Sequence, residues 1–167
     1  NPDELSPVQR AARFIFLNKT CFNGLYRVNS KGIFNVPFGK YKNPKIRNEE
    51  GLRSASLALQ DVDLNTHGFE KALDLADGTD FIYFDPPYHP ISTTSSFTSY
   101  TAKNFDENAQ RRLGEVATEL AERGCFVLLS NSDTPLIREI YGNGYFEIFE
   151  VQANRAISSK ASGRGKI

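Results

Sequence analysis

A chain of 167 residues, 40% hydrophobic and 24% charged, has the composition of an ordinary globular unit large enough to bury a core. No run approaches the roughly 20 apolar residues that span a bilayer, and no charged-then-apolar leader opens the chain, so neither a membrane span nor secretion is expected. The net charge of zero is unevenly built: residues 1–60 hold ten Lys/Arg against four Asp/Glu, residues 61–150 six against sixteen, and residues 151–167 four against none.

Ser6-Pro7 reads as a helix N-cap followed by proline at the first helical position. Ala11, Phe14, Ile15 and Leu17 supply an apolar stripe that ends near Lys19. Leu25–Val28 and Ile33–Val36 are two short β-type runs separated by Asn29-Ser30-Lys31-Gly32, the signal of a hairpin. Nine basic residues and no acid lie between Arg10 and Arg47, which suits either a polyanion partner or a solvated basic face. A helix is expected from Glu49 to Gln60 and a short strand over Asp61–Leu64. A helix over 67–76 then leads to Phe81-Ile82-Tyr83-Phe84, an apolar run that predicts a buried parallel strand.

A Ser/Thr-rich loop with Phe97 and Tyr100 spans 89–104 and could serve as a lid or order on binding. Asp106 is placed to cap a helix carrying Leu113, Val116, Ala117 and Leu120, closed by Gly124. Phe126–Leu129 predicts a second buried strand, Thr134-Pro135 opens a further helix, and Phe146–Val151 predicts a last strand. Alternating strands and helices imply an α/β fold, a doubly wound sheet whose ligands sit beyond the strand C-termini. Cys21 and Cys125 lack disulfide or metal spacing, which fits a reducing cytoplasm, and His67 and His89 lack partner ligands, so no metal is expected. The chain starts at Asn1 and contains no methionine, which reads as a piece cut from a longer protein.

The sharpest motif is Asp85-Pro86-Pro87-Tyr88, directly after the Phe81–Phe84 run. Two prolines cannot continue a ladder, so the chain must leave the sheet at its C-terminal edge. Asp85 and the Pro86 carbonyl then form two acceptors aimed at one amino group, and Tyr88 offers a flat face for a base. An exocyclic adenine amine is a poor nucleophile because its lone pair is delocalised into the ring. Two acceptors on its N–H bonds favour the pyramidal form and free the lone pair to attack a sulfonium methyl, with Asp85 taking or passing on the proton. A base inside a duplex must be flipped to reach such a site and stacked on an aromatic such as Tyr88. The plainer alternative is a Pro-Pro turn in which Asp85 caps the next segment. Ser130-Asn131 at the next strand end either brace the active-site loop or act in the fold alone.

Asn23-Gly24-Leu25-Tyr26-Arg27-Val28-Asn29, followed by Phe34 to Lys42, resembles the recognition hairpin of the Dam family of DNA adenine methyltransferases. Asp85–Tyr88, Leu129–Thr134 and Arg155-Ala156-Ile157-Ser158-Ser159 resemble that family's later motifs, in the same order. The resemblance implies a partial Rossmann-like S-adenosylmethionine-dependent methyltransferase core over 61–167, with a helix and β-hairpin recognition region over 1–60. It implies methylation of adenine N6 in double-stranded DNA, typically within GATC, by a monomer. Arg27 falls where the family reads a guanine, and arginine on guanine O6/N7 is the commonest specific base contact. Asn23, Leu25 and Pro37 fall near the recognised bases, while Lys40, Tyr41 and Lys42 would meet phosphates. Gly68 and Phe69 fall at the contact to the cofactor adenine, with Asp85 also counted as cofactor-binding. Asn104, Arg155 and Ser158 join the DNA-contacting set, with Arg155, Ser158 and Ser159 either touching the DNA backbone or ordering the loop around the flipped base. Taken singly, Arg27 on a hairpin suits solvent, and Leu25 and Phe69 suit the core.

Members of that family normally begin with a Phe-x-Gly-Gly string and an acidic residue for the cofactor ribose, neither of which is present. The 167 residues alone are therefore expected to bind cofactor poorly and not to turn over. Two other readings compete. A methyltransferase for amino groups of RNA or protein would lack a basic hairpin ahead of the loop. A non-catalytic DNA-binding module, a truncated fragment or a degenerate relative without the cofactor half, is the other; an intact Asp85–Tyr88 argues against degeneration but not against truncation.

Overall fold

The computed structural model describes residues 4–29, 31–91 and 105–152. The chain forms two compact units, Asn1–Asn65 and Thr66–Ile167.

In the first unit, helix α1 spans Pro7–Thr20. Its start is over-determined: Gln9 N donates to Ser6 Oγ, Ser6 N donates to Gln9 Oε1 at 2.9 Å, and Pro7 fills the first helical position. A cap of this kind contributes about 0.5–2 kcal/mol. The chain then turns through a 3-10 turn, Phe22–Gly24, into the hairpin. Phe22 N donates to the Pro37 carbonyl and Gly39 N to the Thr20 carbonyl, each at 2.8 Å. Near the tip, Val28 pairs antiparallel with Phe34, and Asn29 Oδ1 accepts from the backbone N–H of Lys31 and Ile33. Gly39 tolerates no side chain, because a Cβ there would sit 2.6 Å from the Cys21 carbonyl oxygen. Tyr26 stacks between Phe14 of α1 and Phe34, with ring centroids 5.0 and 5.4 Å apart, so the hairpin is fastened to the helix by aromatic contact.

The two expected β-runs do form a hairpin, but among the described residues its ladder is reduced to the isolated bridges Cys21–Phe38 and Val28–Phe34. Asn23 and Gly24, at φ +53° and +64°, take the chain out of extended geometry between them, and Pro37 has no N–H to give. Helix α2 spans Glu49–Ala58, ending slightly short of the expected Gln60, with Asn48 as its cap. The expected strand at Asp61–Leu64 is absent: Val62 and Leu64 are exposed and the segment pairs with nothing among the described residues.

In the second unit, a 3-10 turn, Phe69–Lys71, runs into the short helix α3, Ala72–Leu75, less than the helix expected over 67–76. Strand β1 (Phe81–Phe84), helix α4 (Glu107–Glu122) and strand β2 (Phe126–Leu129) form a β-α-β unit, followed by α5 (Pro135–Tyr141). The strands pair in parallel, Phe81 with Phe126 through Phe84 with Leu129. Asp106 caps α4, and Gly124 at φ +95° lets the chain leave it for β2. Leu113, Val116, Ala117 and Leu120 line one face of α4 and pack with Phe84, Cys125, Ile137 and Tyr141 as the core. Each fully buried Leu or Val of this set contributes about 1.5–3 kcal/mol.

Two strand expectations need correction. Alternate residues of the parallel pair behave differently: Phe84 is buried and Ile82, Val127 and Leu129 lie against the core, whereas Phe81 and Phe126 are 67% and 68% exposed. Strands so apolar read as buried on both faces, but among the described residues α4 and its neighbours cover only one. The sheet formed by the described residues has two strands, so the structure is mixed α/β with a small parallel sheet. Phe146–Val151 runs without a strand partner among the described residues, and Phe149 and Val151 are exposed.

Candidate active site and recognition hairpin

The parallel register decides what stands beside Asp85. Phe84 and Leu129 are partners, and Ser130 N donates to the Phe84 carbonyl at 3.1 Å, so the residues that leave the two strands, Asp85 and Ser130, emerge side by side at the C-terminal edge. That edge is where open α/β sheets hold ligands. The Ser130 hydroxyl donates to Asp85 Oδ1 at 2.9 Å and lies 3.0 Å from the Tyr83 hydroxyl. Because the Ser130 proton is committed to Asp85, Tyr83 is the donor in the second contact. Asp85 is exposed, and among the described residues its other oxygen, Oδ2, has no partner. No donor among those residues takes the Pro86 carbonyl, whereas the Pro87 carbonyl accepts from Gln110 Nε2 at 2.8 Å. The edge thus presents a carboxylate oxygen and a carbonyl oxygen, with Tyr88, a residue 46% exposed, nearby in sequence. Such a set can accept both hydrogens of an amine.

Helix α4 and the 131–134 turn hold this loop from behind. Asn131 Oδ1 accepts from His89 N at 2.9 Å, its Nδ2 donates to Gln110 Oε1 at 3.0 Å, and the His89 ring Nδ1 lies 2.9 Å from the hydroxyl of buried Thr134. Arg138 at 2.5 and 2.9 Å holds the Asp133 carboxyl below the usual carboxylate range.

Gly68 caps the 3-10 turn and Phe69 is half-buried, its ring edge-on to Phe105 at 5.8 Å and packed against the core. An open cleft of about 480 Å³ lies alongside, lined by His67, Gly68, Glu70, Lys71, Leu73 and Asp74. Phe69 serves the core.

On the hairpin, Asn23, Pro37, Lys40, Tyr41 and Lys42 are exposed, and Leu25 and Arg27 half-buried. The Phe22–Pro37 hydrogen bond brings the Asn23 and Pro37 segments together at its base. Arg27 sits toward the tip, where its Nε donates to Asn35 Oδ1 at 2.8 Å and its Nη2 to the Asn35 carbonyl at 3.1 Å, setting the plane of the guanidinium. Lys40 and Lys42 form no ion pair among the described residues. Asn23 and Lys40, both expected to face DNA, are the non-glycine residues at positive φ among those described, +53° and +55°. Backbone held in this sparsely populated region concentrates at functional sites. Asn104, Arg155 and Ser158 lie outside the described residues.

Residues 1–157 match the family model for D12 class N6 adenine-specific DNA methyltransferases. The chain belongs to that family. Its similarity to characterised relatives runs along almost its whole length. It is 48% identical over 167 residues to Type II methyltransferase M1.LlaDCHI of Lactococcus lactis subsp. cremoris, covering 99% of this chain and 58% of the relative. To Type II methyltransferase M.MjaIII of Methanocaldococcus jannaschii it is 46% identical, with 98% and 56% covered. To the DNA adenine methylase of Escherichia coli (strain K12) it is 39% identical, with 96% and 57% covered. The chain thus spans somewhat over half the length of the curated relatives it matches.

For a D12-class chain, three side chains of interest escaped the reading of the sequence. Tyr83 looked like one more residue of a buried strand, although the period-2 alternation of a strand places it on the face opposite Phe84. Asn35 carries no signal in the sequence because its role depends on a cross-hairpin neighbour. Gln110 had a legible signal: an amide three residues before Leu113, on the apolar face of an amphipathic helix.

Proposed function

We propose that the protein transfers a methyl group from S-adenosylmethionine to N6 of an adenine flipped out of double-stranded DNA, in a GATC site. The observation that carries the reading is the Asp85–Ser130 pair at the strand edge. It leaves one carboxylate oxygen and the Pro86 carbonyl as acceptors for the two hydrogens of one amine. Asp85 and Pro86 draw on the N–H bonds and return the lone pair to nitrogen, Tyr88 and Pro87 form the wall for the extruded base, and Asp85 accepts the proton released. S-adenosylmethionine supplies the methyl as an electrophile, and Gly68, Phe69 and Asp85 are the residues here that would hold it.

In the same reading, residues 1–60 recognise the target and residues 61–167 belong to a Rossmann-like catalytic core. Arg27 reads a guanine; Asn23, Leu25 and Pro37 border the bases; Lys40, Tyr41, Lys42, Asn104, Arg155 and Ser158 hold the backbone. The site needs no metal, the enzyme acts as a monomer, and the compartment is the cytoplasm. Membership of an adenine-specific DNA methyltransferase family supports the reaction class, and the resemblance of the hairpin to the Dam pattern supports GATC.

The test is transfer of labelled methyl by the full-length protein to a short GATC duplex, beside a duplex already methylated at that adenine. Label in the first duplex alone, lost with Asp85→Ala, is the expected result. Label in another sequence or in RNA would overturn the specificity, and DNA binding without transfer to any substrate would leave a binding module.

A further inference from the structure

Gln110 is fully buried on a helix face otherwise made of Leu113, Gly114, Val116, Ala117 and Leu120. Burying an amide there is unfavourable unless both of its ends find partners. Both do, and the partners are the walls of the candidate active site. Gln110 Nε2 donates to the Pro87 carbonyl at 2.8 Å, and Gln110 Oε1 accepts from Asn131 Nδ2 at 3.0 Å. The other end of Asn131, Oδ1, accepts from the backbone N–H of His89 and of Ser132, each at 2.9 Å.

The Pro87 carbonyl belongs to the peptide plane before Tyr88, and the His89 N–H belongs to the plane after it. The two planes that flank Tyr88 are therefore gripped by one linked pair of amides. This leaves the direction of the Tyr88 ring to its side-chain torsions alone. The same contact occupies the Pro87 carbonyl, so of the two proline carbonyls only that of Pro86 stays open to an incoming amine.

We infer that Gln110 and Asn131 are positioning residues for methyl transfer: a buried amide clamp, reaching from α4 to the end of β2, that holds Tyr88 against the extruded base and keeps the Pro86 carbonyl as the single proline acceptor. The inference rests on the methyltransferase reading above. Its energetic logic is that of pre-organisation. A loop already set in its productive geometry spends nothing on ordering when the base arrives, and a displacement of about 1 Å at the reacting atoms costs on the order of 100-fold in rate.

The experiment uses the full-length protein and compares wild type with Gln110→Met, which keeps the volume and loses both hydrogen bonds, and with Asn131→Asp, which keeps the acceptor for His89 and loses the donor to Gln110. Three quantities are measured: kcat, KM for the duplex, and emission from 2-aminopurine at the target position, which reports how the extruded base is stacked. The clamp requires kcat to fall by about 100-fold in Gln110→Met and by at least tenfold in Asn131→Asp. It also requires an unchanged KM, an unchanged fraction of active enzyme by single-turnover titration, and an altered emission in both variants. Wild-type kcat in the variants overturns it, as does a loss that merely tracks a smaller active fraction. Should Gln110→Met fail to fold, Asn131→Asp decides by the same outcomes. A wild-type protein that methylates no DNA overturns the methyltransferase reading and the clamp together, whereas an active wild type with indifferent variants overturns the clamp alone.

Discussion

Ser130 donates its hydroxyl proton to Asp85 Oδ1 at 2.9 Å while accepting one from Tyr83, 3.0 Å away, so the catalytic candidate is one end of a three-residue chain that crosses both strands. A hydrogen bond to a carboxylate is stronger than a neutral one and orients the group that receives it. With Oδ1 engaged, Oδ2 is the oxygen left without a partner among the described residues. Ser130→Ala is expected to lower kcat by roughly 10–100-fold, the equivalent of about 1.5–3 kcal/mol felt in the transition state. Tyr83→Phe acts one bond further away and is expected to lose less. Steady-state methyl transfer by the two variants checks the order, and an equal or larger loss in Tyr83→Phe would contradict it.

Arg27 owes its orientation to Asn35, which takes both its Nε and its Nη2. Arg27→Ala is expected to remove about 1–3 kcal/mol of discrimination at one base pair while other positions keep theirs. Asn35→Ala touches no base in this scheme, yet is expected to blur the same position to a smaller degree. Competition binding with a set of single-substituted duplexes separates this from a general loss of affinity.

Lys40 combines a positive φ with an exposed charge, and the two can be separated by Lys40→Gly. Glycine accepts φ +55° without a Cβ penalty, so stability is expected to hold or to rise by up to about 1 kcal/mol. Loss of the charge is expected to weaken binding about equally across sequences and to reduce the slope of log K against log salt by about 1. A slope equal to wild type would remove Lys40 from the phosphate contacts.

The Tyr141 hydroxyl is buried in the core with no hydrogen-bond partner among the described residues, and its ring meets Phe146 edge-on at 5.5 Å. Burial pushes the phenol's pKa up. Tyr141→Phe keeps the ring contact and removes the stranded hydroxyl, so a gain of about 1 kcal/mol is expected. The pH dependence has a definite sign. The neutral phenol has no pH-dependent effect below the unfolded pKa of about 10; above it the unfolded chain ionises while the buried phenol does not, so stability falls as pH rises. Thermal melts at pH 8 and pH 11 should show the alkaline loss in wild type and a smaller one in Tyr141→Phe.

Much of the local structure was legible because it depends on near neighbours in the chain. The Ser6–Gln9 capping box, the Asp106 cap of α4 and Gly124 at its end are set by spacing and by single-residue stereochemistry, and the Phe81–Phe84 and Phe126–Leu129 runs found each other as partners. The failures were strands whose existence depends on a partner. Asp61–Leu64 and Phe146–Val151 have β-type composition, but a strand is a paired object, and no ladder reaches them among the described residues.

By itself the sequence determined the chemistry on offer: a carboxylate and two prolines at a strand end, a basic hairpin ahead of them, and an apolar helix face with one amide in it. Only the tertiary structure decided which groups meet. The register of two parallel strands set Ser130 beside Asp85, 45 positions apart in the chain. The packing of α4 under the loop gave the Pro87 carbonyl to Gln110 and left that of Pro86 open. A hydrogen bond falls away within an ångström of misplacement, so such pairings follow from how the elements pack and not from the residues each element carries.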